Sequence, residues 1–216
     1  MNERFGRSRP TESRFKRPSV KWTPTRLRIV AGDLGGRYIG YNGDPATRPM
    51  KEKTREALFS LLGGYLPDSY AIDLFAGTGI LGFESVSRGS GGAVLLELAR
   101  PAVTTMLANM RSLGLEQRIQ IQHVDSLRWL KNSAERTADL PRCRWLVYCC
   151  PPYALWQQES RSLEYGLKEL YQCMPAGSQV ICEYDDTYDV AQKLPEWNWQ
   201  TRSYKPATIA IATKDR

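Results

Sequence analysis

The chain has little of what metal sites and disulfide frameworks need. It contains one histidine, His123, and five cysteines: Cys143, Cys149, Cys150, Cys173 and Cys182. The cysteine count is odd and no C-x-x-C spacing occurs, so reduced thiols and no bound metal are expected. No apolar run approaches the roughly 20 residues of a membrane-spanning helix, and no membrane partner is expected. The opening residues lack the apolar core of a signal peptide. Their Arg and Ser content is like that of a transit peptide, but Glu3, Glu12 and several prolines interrupt it. A cytoplasmic protein is the expectation. No internal repeat is present. A length of 216 residues suits one main domain with room for an appendage, and a monomer is expected.

What is abundant is positive charge, +7 net, and it is uneven. Arg4, Arg7, Arg9, Arg14, Lys16, Arg17, Lys21, Arg26 and Arg28 crowd the start against Glu3 and Glu12. Such an arm suits RNA, because each phosphate contact releases counterions. Phe5, Phe15 and Trp22 stand among these residues, where they could stack on bases. The alternative is a solvated tail that only aids solubility. Residues 1–25 are polar and aperiodic, and little order is expected there.

Beyond the arm, "RLRIVAG" and "GGRYIGY" read as a hairpin. "KEKTREALFSLLGGYL" reads as a helix with Ala57, Leu58, Leu61 and Leu62 on one face, stopped by Gly63 and Gly64. Residues 26–64 therefore form an extension to a domain at 65–216. From Tyr70 short strands and helices alternate: "YAIDLFA", "GAVLLEL", "IQIQHVD", "RWLVYCC" and "SQVICEY" are strands, and "WQTRSYK" with "PATIAIATK" closes the chain. This pattern predicts an α/β fold with a doubly wound, mainly parallel sheet, which binds ligands beyond the carboxyl ends of its strands.

Several unusual residues fall at those ends. Gly77, Gly79 and Gly82 match G-x-G-x-x-G, a weak signal alone. Asp73 precedes Gly77 by four residues and is placed to accept hydrogen bonds from a ligand amine, whereas a pyrophosphate would gain nothing from it. Glu97, eighteen residues after Gly79, can hold ribose hydroxyls. Asp125 follows the third strand and can accept from an adenine amino group. Each acid alone could be a helix cap or a solvated strand end. Together they suit S-adenosylmethionine, which carries an ammonium, a sulfonium, a ribose and an adenine but no phosphate. A nicotinamide-dependent oxidoreductase is the weaker alternative.

"LRIVAGDLGGRYI", "TRPMKEKTREALFSLL" and "AIDLFAGTGILGFESVSRG" resemble the RsmD-type methyltransferases, which modify the exocyclic N2 of one guanine in bacterial small-subunit (16S) ribosomal RNA. The likeness runs from about Arg26 to the end of the chain. It implies a seven-stranded, Rossmann-like S-adenosylmethionine-dependent methyltransferase fold preceded by a small hairpin and helix. It implies that Asp73, Ala76, Gly77, Gly79, Glu97 and Asp125 line the cofactor pocket. It places Arg48, Pro49, Met50 and Arg55 over the cofactor and near the incoming base. By residue type Arg48 and Arg55 suit phosphate or base contacts to RNA, the alternative being solvated charges at a helix start and on a helix face. The implied partner is ribosomal RNA in a small-subunit assembly intermediate.

Many methyltransferases of nucleic-acid amines carry Asp or Asn, then Pro-Pro, then Phe or Tyr after the fourth strand. Here the run is Cys150-Pro151-Pro152-Tyr153. An aryl amine is a poor nucleophile because its lone pair is delocalised. Two acceptors, a side-chain oxygen and the carbonyl of residue 151, orient it, and Tyr153 can stack on the unstacked base. Cys150 offers a weak acceptor as a thiol and a better one as a thiolate, which needs a cation such as Arg48 or Arg55 nearby. Three readings stay open: an active enzyme, an enzyme for a different nucleic-acid amine, and a catalytically impaired RNA-binding assembly factor.

Overall fold

Four short segments that are largely apolar on both faces cannot be left half-solvated, and parallel pairing with helices on either side buries them, while a fifth, "IQIQH", alternates and stays partly exposed. The computed structural model describes residues 24–44 and 47–215. Arg4, Arg7, Arg9, Arg14, Lys16 and Arg17 lie outside the described residues.

The chain opens with a hairpin, β1 (Thr25–Arg28) and β2 (Tyr38–Tyr41), followed by α1 (Glu52–Leu61). Then come β3 (Ser69–Asp73), α2 (Ile80–Ser87), β4 (Gly92–Glu97), α3 (Arg100–Ser112) and β5 (Ile119–His123). After the short helices α4 (Ser126–Leu130) and α5 (Ser133–Arg136) follow β6 (Arg144–Cys149), α6 (Tyr153–Gln158), α7 (Ser160–Cys173) and β7 (Gln179–Tyr184). The short α8 (Val190–Lys193) leads to β8 (Trp199–Tyr204) and β9 (Ala207–Thr213). The main sheet has seven strands in the order β5-β4-β3-β6-β7-β9-β8. Pairing is parallel from β5 to β7, and β9 is antiparallel to both its neighbours. Strand order reverses beside β3, which makes its carboxyl end the switch point. The seven-stranded fold expected from the sequence is the one observed.

Two apolar clusters cover the two faces of the sheet. One joins Ile29, Ile39, Leu58 and Phe59 of the N-terminal extension to Leu95, Leu146 and Tyr148 of the sheet. The other holds Trp129, Trp145 and Trp156 with Val147 and Cys149. Alternation along β6 therefore sends Tyr148 and Cys150 to one face and Cys149 to the other. Gly82 has a packing role: a Cβ there would lie 2.1 Å from Leu95 Cδ2, so its absence lets α2 seat on β4. The third glycine of G-x-G-x-x-G thus serves helix–strand contact.

α1 buries a stripe that only partly matches the one expected. Leu58 and Leu62 face inward as expected, joined by Thr54, Arg55 and Phe59, while Leu61 is exposed. The physical reason is Glu84 on α2, which is fully buried. Arg55 Nε donates to its Oε2 at 2.7 Å, and Arg88 Nη2 donates to its Oε1 at 2.7 Å. Arg55 also donates to the carbonyls of Met50 and Arg28, and Arg88 to that of Gly64. Arg55 is 1% exposed, so its expected role as an RNA contact is corrected: it is a structural cation. The hairpin is fastened separately. The amides of Asp33 and Leu34 donate to Ser87, and the Asn109 side chain pairs with both backbone groups of Gly40 at 2.8 Å.

Removing one partner of a buried ion pair leaves the other charge uncompensated. Glu84→Ala strands two arginines and is expected to lower unfolding free energy by about 3–5 kcal/mol in urea titration. A loss below about 1 kcal/mol, the value of a surface pair, contradicts this role.

Candidate active site

A cavity of about 590 Å³ opens at the carboxyl ends of β3, β4 and β6. Its floor is the β3–α2 turn, Asp73 to Gly77. Gly77 (φ 52°) and Gly79 (φ 79°) both take left-handed backbone, which only glycine adopts without strain. Gly77 lines the cavity and Gly79 does not. A Cβ on Gly79 would meet Met106 and Phe83 instead, so this residue shapes the turn from behind.

The walls are the three strand-end acids. Asp73 is 1% exposed, and neither carboxylate oxygen has a hydrogen-bond partner among the described residues. Burial pushes its carboxyl up to about 7; the nearby Phe75 amide opposes this and the Glu97 charge reinforces it. Glu97 accepts from the Gly77 amide at 2.8 Å and from the Ala99 amide at 2.6 Å, which ties the floor to β4. Asp125 caps α4, with Oδ1 accepting from the Leu127 amide at 2.8 Å. Residues 47–51 form the roof, with Arg48 exposed, Pro49 half-buried and Met50 buried. The Tyr41 hydroxyl donates to the Thr47 carbonyl at 2.6 Å and holds the start of this segment.

Opposite the roof lie Cys150, Pro151, Pro152 and Tyr153. Tyr153 begins α6 rather than sitting in a loop. Burial raises the Cys150 thiol well above its ordinary value, and the Glu183 and Asp73 charges raise it further. Burial and the charges of Glu183 and Asp73 thus work against the thiolate reading, and Arg55, one of the two cations it called for, is engaged by Glu84. These influences favour the thiol form of residue 150.

Arg48, Pro49, Met50, Asp73, Ala76, Gly77, Glu97, Asp125 and the 150–153 run thus share one cavity, while Gly79 and Arg55 stand outside it. Glu183 was missed. It lies near the end of β7 and lines the same cavity. The strand-end logic that singled out Glu97 on the second parallel strand applies equally to Glu183 on the fifth.

The family model described as conserved hypothetical protein 95 matches residues 27–212. The ribosomal RNA small subunit methyltransferase D of Buchnera aphidicola is 32% identical over 60% of this chain and 64% of its own length. The chain thus spans just under two thirds of that relative. A solved hypothetical protein of Thermus thermophilus superimposes with a TM-score of 0.68 at 22% identity, covering 87% of this chain and 99% of its own. The T. thermophilus 16S ribosomal RNA N2 G1207 methyltransferase, in complex with AdoMet and guanosine, gives 0.66 at 17% identity over 90% of this chain and 51% of its own.

An acid whose carboxyl is raised in the fold stabilises least where it must ionise. Below the unfolded value near 4, Asp73 is protonated in both states. As pH rises toward 7 the unfolded chain gives up its proton first, and stability falls. Asp73→Asn removes this penalty. A rise of about three pH units is worth about 4 kcal/mol, so the variant's melting temperature is expected to exceed wild type by about 8–16 °C at pH 8, with the difference shrinking toward zero near pH 4. A gain that does not depend on pH contradicts the assignment.

Proposed function

The chain belongs to the conserved hypothetical protein 95 family, the RsmD-type family its sequence resembles, and on that premise we propose that it is an S-adenosylmethionine-dependent ribosomal RNA methyltransferase. The finer reading is methylation of the exocyclic N2 amine of a guanine in small-subunit RNA, in the cytoplasm. The observation that carries the proposal is Asp73. A fully buried carboxylate with two unpartnered oxygens in a cavity wall calls for a donor from a ligand, and an ammonium is the donor that best restores its charge.

The other residues fit the same ligand. Glu97 and Asp125 present further acceptors for ribose hydroxyls and the adenine amine, while Met50, Leu96 and Leu127 offer apolar contact to the ring. Bound there, S-adenosylmethionine supplies an electrophilic methyl on a sulfonium. The roof at 47–51 excludes water from above, and Arg48 on its exposed edge can meet a phosphate. Pro151 presents a backbone carbonyl to the target amine, and Tyr153 a ring face to the base. Catalysis by such a site is mainly positioning. The basic arm, with Arg4, Arg7, Arg9, Arg14, Lys16 and Arg17, adds affinity for RNA without reading sequence.

A second reading, an assembly factor that binds RNA and cofactor without transfer, draws on the neutral thiol at residue 150. Incubating the protein with methyl-labelled cofactor and partly assembled small subunits separates the two. Nuclease digestion should then yield N2-methylguanosine as the labelled nucleoside. Label on another nucleoside overturns the finer reading. RNA binding without label favours the assembly factor.

A further inference from the structure

β6 and β7 run parallel with Cys149 opposite Cys182, so the next pair in register is Cys150 and Glu183. In-register residues on neighbouring parallel strands share a face, about 4.8 Å apart. Both side chains line the cavity. The Glu183 carboxylate is also held in place. Tyr153 Oη donates to Oε1 at 3.1 Å, and Trp156 Nε1 donates to the Glu183 carbonyl at 2.9 Å. Oε2 makes no hydrogen bond to a described residue. Burial raises the carboxyl, while the Tyr153 hydroxyl and the Arg48 charge favour its ionised form.

We propose that Glu183 supplies the carboxylate acceptor for the target amine that Cys150 cannot supply. The inference rests on the methyltransferase reading above. A glutamate has one more methylene than an aspartate, which extends its reach into the cavity from the neighbouring strand. Its free Oε2 and the Pro151 carbonyl then take the two N–H groups of the amine, and Tyr153 links the base-stacking ring to the same carboxylate. During transfer the amine nitrogen gains the methyl, the sulfur keeps the bonding pair, and the surplus amine proton passes to Oε2 and on to water. Glu183 is therefore a catalytic residue and Cys150 a neutral wall.

Glu183→Gln tests this, because an amide oxygen still accepts from Tyr153 and preserves any merely structural role. On ribosomal RNA, E183Q should lower kcat by about 100-fold while its melting temperature and cofactor affinity stay near wild type. Adding C150D to E183Q should recover at least about tenfold, since it returns a carboxylate one strand over. A second readout is binding. With S-adenosylhomocysteine present, wild type should hold guanosine monophosphate about tenfold more tightly than inosine monophosphate, which lacks the 2-amino group, and E183A should abolish the difference. An active E183Q, a failed rescue by C150D, or an unchanged preference in E183A overturns the inference. Wild type silent with C150D active overturns it too. Wild type and C150D both silent defeats the methyltransferase reading, and the inference falls with it.

Discussion

The buried carboxylate of Glu84, gripped by Arg55 and Arg88, is the constraint on which the rest of the molecule depends. It sits on α2, the helix that begins at the glycine turn, so the turn and the clamp belong to one rigid element. Through Arg55 it fixes α1, and the same guanidinium reaches the Met50 carbonyl and so holds the roof of the cavity. A charge at zero exposure is tolerable because both carboxylate oxygens are engaged by guanidinium N–H groups. An apolar pair could fill the same space, but it would not reach the backbone carbonyls that carry the geometry from the core to the roof.

Asp73 presents the opposite case. It is buried as deeply as Glu84, yet no described protein group satisfies its oxygens. Folds rarely leave buried polar atoms unpaired, and where they do the site is a candidate for function. The contrast between the two carboxylates, one closed by its partners and one open to the cavity, distinguishes scaffold from site. The penalty at Asp73 is local instability that a cationic ligand can relieve.

Much of this was legible in the sequence. Alternating strand and helix signals pointed to the sheet, and the strand-end rule gathered Asp73, Glu97, Asp125 and Cys150 onto one edge. The inward stripe of α1 was legible only in part, at Leu58 and Leu62, because Arg55 reads as a surface cation until Glu84 is seen across from it. Gly79 looked like a ligand contact because φ > 0 is needed at two positions of the turn, and only the fold shows which of the two faces the cavity. Glu183 was within reach of the same strand-end rule, but its register with Cys150 was not, because that is a relation between strands rather than along one.

The most direct test is whether cofactor binding is coupled to the proton on Asp73. Calorimetric titration with S-adenosylmethionine from about pH 5.5 to 7, in two buffers of different ionisation enthalpy, measures this. An ammonium favours the carboxylate form, so binding below about pH 7 should release close to one proton. Affinity should fall by up to about tenfold per pH unit as pH drops, and Asp73→Asn should lose that dependence. Binding that is tight, independent of pH and free of proton release would contradict Asp73 as the cofactor's anchor.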